Sequence, residues 1–166
     1  MDRRFLPPRK SSLRLRDYDY SQPGYYFVTV CTKARHQNVL CAIGNVGAAA
    51  LGGPVVELTQ EGKIVDQLIL NINLVYDGLI AVDTYCIMPD HIHLILWFRG
   101  QEIGPPRAAA PTDLPAVINA LKGLAVKKIG YPIWQRGYYD HIIRSEQDLN
   151  EIRRYIQENP IKWGIQ

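Results

Sequence analysis

Hydrophobic and polar positions along the chain fall into blocks, and the period of each block predicts an element. "YYFVTVCT", Tyr25 to Thr32, follows a Pro-Gly turn and is dense in aromatic and β-branched residues, which predicts a buried first strand. In "LTQEGKIVDQLILNI" the apolar residues Ile64, Leu68 and Ile72 recur at four-residue spacing behind Thr59, a suitable cap. A helix from about Thr59 to Ile72 follows. "LIAVDTYCIM" and "HIHLILWF" are apolar, β-rich runs separated by Pro89 and Asp90, the chemistry of a tight turn, so together they predict a hairpin at the centre of the sheet. "LPAVINALKGLAVKKIG" puts Val117, Leu121, Leu124 and Ile129 roughly on one face, with Lys122, Lys127 and Lys128 elsewhere and Gly130 as a terminator. That is a second helix. A strand within "PIWQRGYYDHIIR" and a helix over "SEQDLNEIRRYIQEN", opened by Ser145 and closed by Pro160, complete the chain.

The order β α β β α β α predicts an α+β fold, a ferredoxin-like split βαβ sandwich: an antiparallel sheet with helices on one face, plus an appended C-terminal helix. "GNVGAAALGGP" (about 44–54) and "GQEIGPPRAAAPTD" (about 100–113) are too rich in Gly, Ala and Pro to pack well and are expected to be flexible loops, the first a loop or a loose hairpin. At 166 residues, 47% of them hydrophobic, a single domain over 1–166 with a proper core is expected.

Charge modifies this picture at one end. The net charge is only +3, yet residues 1–20 carry Arg3, Arg4, Arg9, Lys10, Arg14 and Arg16 against Asp2, Asp17 and Asp19. Such a basic arm suits a polyanion, because each cation placed near a phosphate releases condensed counterions; it equally suits a solvated terminus. Three cysteines without C-x-x-C spacing argue against a disulfide framework or a cysteine zinc site and fit a reducing cytoplasm. No apolar run approaches the roughly 18 residues of a membrane helix, so no membrane partner is expected.

Candidate chemistry lies in "MPDHIHLIL". Side chains alternate along a strand, so His91 and His93 share a face while Ile92 and Leu94 take the other. Two neutral imidazoles so placed can converge on one divalent ion. They can also be ordinary sheet residues, and a third ligand decides between the two. In the final helix Tyr155 and Asn159 are four residues apart, on one side of the stripe formed by Leu149, Ile152 and Ile156. Tyr155 at that edge can pack its ring and extend its hydroxyl into a cleft. Asn159, before Pro160, is expected at the helix end.

"GYYFVTVCT", "MPDHIHLIL", "WQRGYYDHIIR" and "YIQENPIKWG", in that order, resemble the single-tyrosine HUH transposases, and most of all the REP-associated tyrosine transposases of bacteria; the resemblance covers most of Arg9 to Gly164. It implies a metal-dependent single-stranded DNA endonuclease and strand transferase that acts on hairpin or palindromic DNA through a 5′-phosphotyrosine intermediate. On that resemblance His91, Ile92 and His93 match the metal-binding motif, Tyr155 the catalytic tyrosine, and Asn159 the amide that completes the metal site. Mg²⁺ or Mn²⁺ is the implied cofactor. Many relatives carry Asn where this chain has Asp90. Arg14, Arg16, Lys122, Arg136 and Arg144 are the nominated DNA contacts. Of Tyr138 and Tyr139, one is expected to be buried and the other to stack a base, while His36 and His141 have no evident partner. Two other readings compete: a non-catalytic, domesticated hairpin-DNA-binding protein, and a metal-dependent hydrolase using water. Either a monomer or a homodimer fits.

Overall fold

A computed structural model describes residues 18–34, 37–44, 55–100 and 112–163. Most of the basic arm with Arg14 and Arg16, His36, and nearly all of the two Gly/Ala/Pro-rich loops lie outside the described residues.

Two central strands, buried on both faces along most of their length, organise everything else. The described elements are β1 (Gly24–Cys31), β2 (Cys41–Gly44), β3 (Val55–Leu58), α1 (Gln60–Val75), β4 (Ile80–Ile87), β5 (His91–Phe98), α2 (Leu114–Ile129), β6 (Tyr139–Ile143) and α3 (Glu146–Trp163). The main sheet has the order β4-β5-β1-β6, antiparallel throughout, which is the predicted split βαβ arrangement. β2 and β3 pair with each other as a separate hairpin around the first Gly/Ala-rich stretch.

One sheet face carries Val28 and Val30 of β1 with Ile92, Leu94 and Leu96 of β5; these pack on Val65, Ile69 and Ile72 of α1 and Ile118 and Leu121 of α2. The other face carries Phe27 and Ile95, which pack with Ile143 and with Leu149, Ile152 and Ile156 of α3. The C-terminal helix therefore covers the face that α1 and α2 leave open. The charged ends of Arg153 and Asp83 pair, tying α3 to β4 at its bulge.

Local chemistry sets the helix ends. Gly62 N–H donates to Thr59 Oγ1 at 3.0 Å, so Thr59 caps α1 as expected, and the helix runs one turn beyond Ile72. Gly130, at φ 94°, ends α2 in the left-handed region that a β-carbon would disfavour. Asp148 N–H donates to Ser145 Oγ at 3.1 Å at the start of α3.

Two expectations need correction. The last strand is only Tyr139–Ile143; the segment before it is a loop in which Gly137 has φ 74°, and Lys122 Nζ donates to the carbonyls of Gln135 (2.9 Å) and Gly137 (2.7 Å). α3 is not closed by Pro160 but passes through it to Trp163. A proline removes one backbone hydrogen bond, which ends a helix only when nothing beyond holds the next turn, and here Trp163 packs on His91 with ring centroids 5.9 Å apart. At the end of the basic segment, Tyr20 is buried, makes ring contacts with Tyr18 and Tyr26, and accepts at its carbonyl from Leu114 N–H at 3.1 Å.

Candidate active site

The strand register brings Thr29 of β1 opposite His93 of β5, and Cys31 opposite His91. Both histidines point to the α3 face, as their spacing predicts. Each imidazole is held from behind through Nδ1: His91 donates to Asp90 Oδ1 at 2.7 Å, and His93 Nδ1 shares a hydrogen bond with Thr29 Oγ1, also at 2.7 Å. Their Nε2 atoms then face each other at 3.0 Å. Thr32 fixes the turn, because its N–H (2.8 Å) and its hydroxyl (3.0 Å) both donate to the Asp90 carbonyl.

His93 is fully buried, with 0% of its surface exposed. Burial, and secondarily the neighbouring His91, hold its pKa well below the ordinary imidazole value, so the ring is neutral. Phe27 stacks on it at 5.3 Å.

α3 brings the remaining groups across the same face. Tyr155 Oη lies 3.5 Å from His93 Nε2, its ring is 5.3 Å from the imidazole, and its edge contact with Phe27 steadies it. Tyr155, Asn159 and Trp163 follow one another at four-residue steps, a row that drifts by only ~40° per step around the helix. Since Tyr155 meets His93 and Trp163 meets His91, Asn159 lies between them opposite the imidazole pair. Asn159 is buried, and its Nδ2 has no hydrogen-bond partner among the described residues. It is a mid-helix residue, not the helix-end residue expected from the following proline.

The resemblance implies a divalent cation, and the donor set fits one. Two imidazoles converge through Nε2, each backed at Nδ1 by an oxygen, the usual arrangement behind metal-bound histidine. The amide of Asn159 is an orphaned buried group on the facing helix, and an amide exchanges its O and N by rotation about one bond. Among the described residues no group of three or more His, Cys, Asp or Glu is arranged to hold a metal. A cation here would be held by His91, His93 and Asn159, with other positions left to oxygens of water or phosphate, a set that suits Mg²⁺ or Mn²⁺.

The nominated DNA contacts divide by position. Arg136 is exposed, and its loop lies at the His91 end of the sheet, where Gln135 N–H donates to Cys31 O at 2.9 Å. Arg144 is exposed at the opposite end, just past Ile143, which pairs with Tyr25. Lys122 is half-buried and already donates to two backbone carbonyls, which makes it a brace for the loop before β6. Tyr138 packs against the larger core, whereas Tyr139 lies on the α3 face beside Thr29, its hydroxyl pKa raised by burial and then by Asp140. His141 has a partner after all, Asp148 Oδ2 at 2.8 Å.

Sequence reasoning missed Thr29, Phe27 and Trp163, and it treated Asp90 only as a departure from the family pattern. Alternation in "FVTVC" places Phe27 and Thr29 on one face, but nothing local says which strand lies beside them.

No protein-family model matches the chain. It is 30% identical over 171 residues to an uncharacterised protein of Haemophilus influenzae, a match covering 93% of this chain and 89% of that protein. A second Haemophilus influenzae protein, named a REP-associated tyrosine transposase, is 32% identical over 85 residues, about half (48%) of each chain. A solved REP-associated tyrosine transposase bound to a REP hairpin superposes with a TM-score of 0.63 at 22% identity, over 91% of this chain and 74% of that one. The fold is thus a transposase-like α+β fold. The chain resembles the REP-associated tyrosine transposases over about half of its sequence and in its fold. No helix among the described residues is long and apolar enough to cross a membrane.

Proposed function

We propose that the protein is a metal-dependent endonuclease and strand transferase for single-stranded DNA, acting on hairpin or palindromic sites through a 5′-phosphotyrosine intermediate. The observation that carries this reading is the 3.5 Å approach of Tyr155 Oη to His93 Nε2, on a buried face that also holds His91 and Asn159. In the proposed reaction Tyr155 Oη attacks the scissile phosphorus, an O–P bond forms to the tyrosine, and the bond from phosphorus to the 3′-oxygen breaks. The phenol proton passes to solvent, and the departing oxygen takes one up as a 3′-hydroxyl. A phenol with pKa near 10 is a weak nucleophile at neutral pH. A bound Mg²⁺ or Mn²⁺ would supply positive charge that favours the phenolate and the charge developing on the phosphate.

The protein's own groups do the positioning. His91, His93 and Asn159 would hold the cation, Phe27 orients both the Tyr155 ring and His93, and Trp163 shields the His91 side from water. Because one phosphodiester is exchanged for another, a second 3′-hydroxyl can reverse the step and join strands without ATP. The hairpin bound by the solved relative supports hairpin DNA as the partner. Arg136 at the His91 end, with Arg14 and Arg16, would contact phosphates, and Arg144 would contact DNA further away. Tyrosine and histidines meet within one chain, which supports a tyrosine that serves the site of its own chain.

The test is to incubate the protein with a labelled single-stranded hairpin and Mn²⁺ and to look for DNA attached to protein on a denaturing gel. An adduct lost in Tyr155→Phe is expected. Cleavage without an adduct would instead favour hydrolysis by water, and binding without cleavage a domesticated hairpin binder.

A further inference from the structure

The two histidines are backed by chemically unequal partners. An ionised Asp90 carboxylate only accepts hydrogen bonds, so it admits one form of neutral His91, with the proton on Nδ1 and the lone pair on Nε2. The Thr29 hydroxyl both donates and accepts, so it tolerates either tautomer of His93. The Nε2 atoms are 3.0 Å apart, too close for two bare lone pairs to face each other with nothing between.

We propose that Asp90 and Thr29 are positioning residues with different tasks: Asp90 locks His91 in its Nδ1–H form, while Thr29 lets His93 exchange tautomers, closing the pair on itself without a cation and opening it to one. In the cation-free protein Thr29 Oγ1–H donates to His93 Nδ1, and His93 Nε2–H donates to the lone pair of His91. On capture of a divalent ion the His93 proton moves from Nε2 to Nδ1, the hydroxyl turns to accept it, and both Nε2 lone pairs become ligands. No net proton is gained or lost. The inference deepens the metal-dependent reading and rests on it for the capture step. Its first half concerns the protein alone.

Asp90 also brings a negative charge behind His91. Asn at this position keeps an acceptor oxygen but adds an N–H₂, so it removes both the charge and the exclusive hold on one tautomer. Loss of such a backing group typically weakens metal binding by about 10–100-fold.

The tautomers are read by ¹⁵N NMR of histidine-labelled protein, first without divalent ions and then with Mg²⁺, which is diamagnetic. Without ions, His91 is expected as Nδ1–H and His93 as Nε2–H; Mg²⁺ should shift His93 to Nδ1–H and leave His91 unchanged. Mn²⁺ affinity, followed by the EPR signal of the free ion, should fall about 10–100-fold in Asp90→Asn while the thermal midpoint stays near the native value. An Nε2–H form of His91 in the cation-free protein, or native affinity in Asp90→Asn, would overturn the role of Asp90. A His93 signal unmoved by saturating Mg²⁺ would overturn that of Thr29, even if Mn²⁺ still supports adduct formation. The opposite pattern, with the expected tautomers and Mg²⁺ response but no DNA adduct under any condition, would sink the strand-transfer reading and leave this inference standing.

Discussion

The two faces of the central sheet are built from the same strands and serve opposite ends. Toward α1 and α2, β1 and β5 present Tyr26, Val28, Val30, Ile92, Leu94 and Leu96, an apolar layer in which every methylene removed from water adds to stability. Toward α3 the alternate positions are Phe27, Thr29, His91, His93 and Ile95, so apolar packing is interrupted by groups that resist burial. Those groups are tolerated because they satisfy one another, through Thr29 with His93 and Asp90 with His91. The contrast teaches that stability and chemistry can be segregated across a sheet only one residue thick. A large helix-covered core holds the strands rigid, and the second face can then keep polar atoms within fractions of an ångström of a working geometry.

This division can be broken from either side. The largest effect belongs to Tyr155→Phe, which should reduce the covalent adduct to background while leaving urea unfolding close to native; a stability loss as large as that of a core truncation would mean that the α3 face also carries the fold. Next comes Leu94→Ala on the opposite face, expected to cost about 2–5 kcal/mol in chemical denaturation. Wherever that variant stays folded, it should still form the adduct.

Acid sharpens the comparison further. Since burial lowers the pKa of His93 below the ordinary 6.5, the unfolded chain takes up a proton in acid that the folded chain refuses. Stability is therefore complete above about pH 6.5 and falls as the pH drops below it, by at most roughly 1.4 kcal/mol per pH unit from this group. Replacing His93 by Leu should flatten that limb of the curve, as measured by denaturation at successive pH values. An unchanged slope would show that some other group is responsible. The smallest effect is expected from Thr59→Ala, which removes the cap of α1 and should cost about 1 kcal/mol with adduct formation unaltered.

Much of the architecture was legible because it depends on short-range rules. Period-two alternation put His91 and His93 on one face, four-residue spacing defined α1, and Thr59 and Gly130 marked helix ends through their own backbone preferences. Errors arose where a local signal met a distant contact. Pro160 reads as a stop, yet the helix continues to place Trp163 on His91. Lys122 reads as a free surface cation, yet the loop before β6 takes up its ammonium group. His141 reads as unpartnered because Asp148 belongs to the next element and comes within reach only across the β6–α3 turn.

Sequence alone determined which residues can do chemistry and which side of each element they occupy, since both follow from side-chain type and backbone period. Only the tertiary structure decided that Thr29 stands behind His93, 64 residues away, and that Tyr155 reaches the same imidazole from 62 residues away. Strand register and helix docking are set by the packing of the whole molecule, and no local pattern encodes the distance between two atoms that meet only after the chain has closed around them.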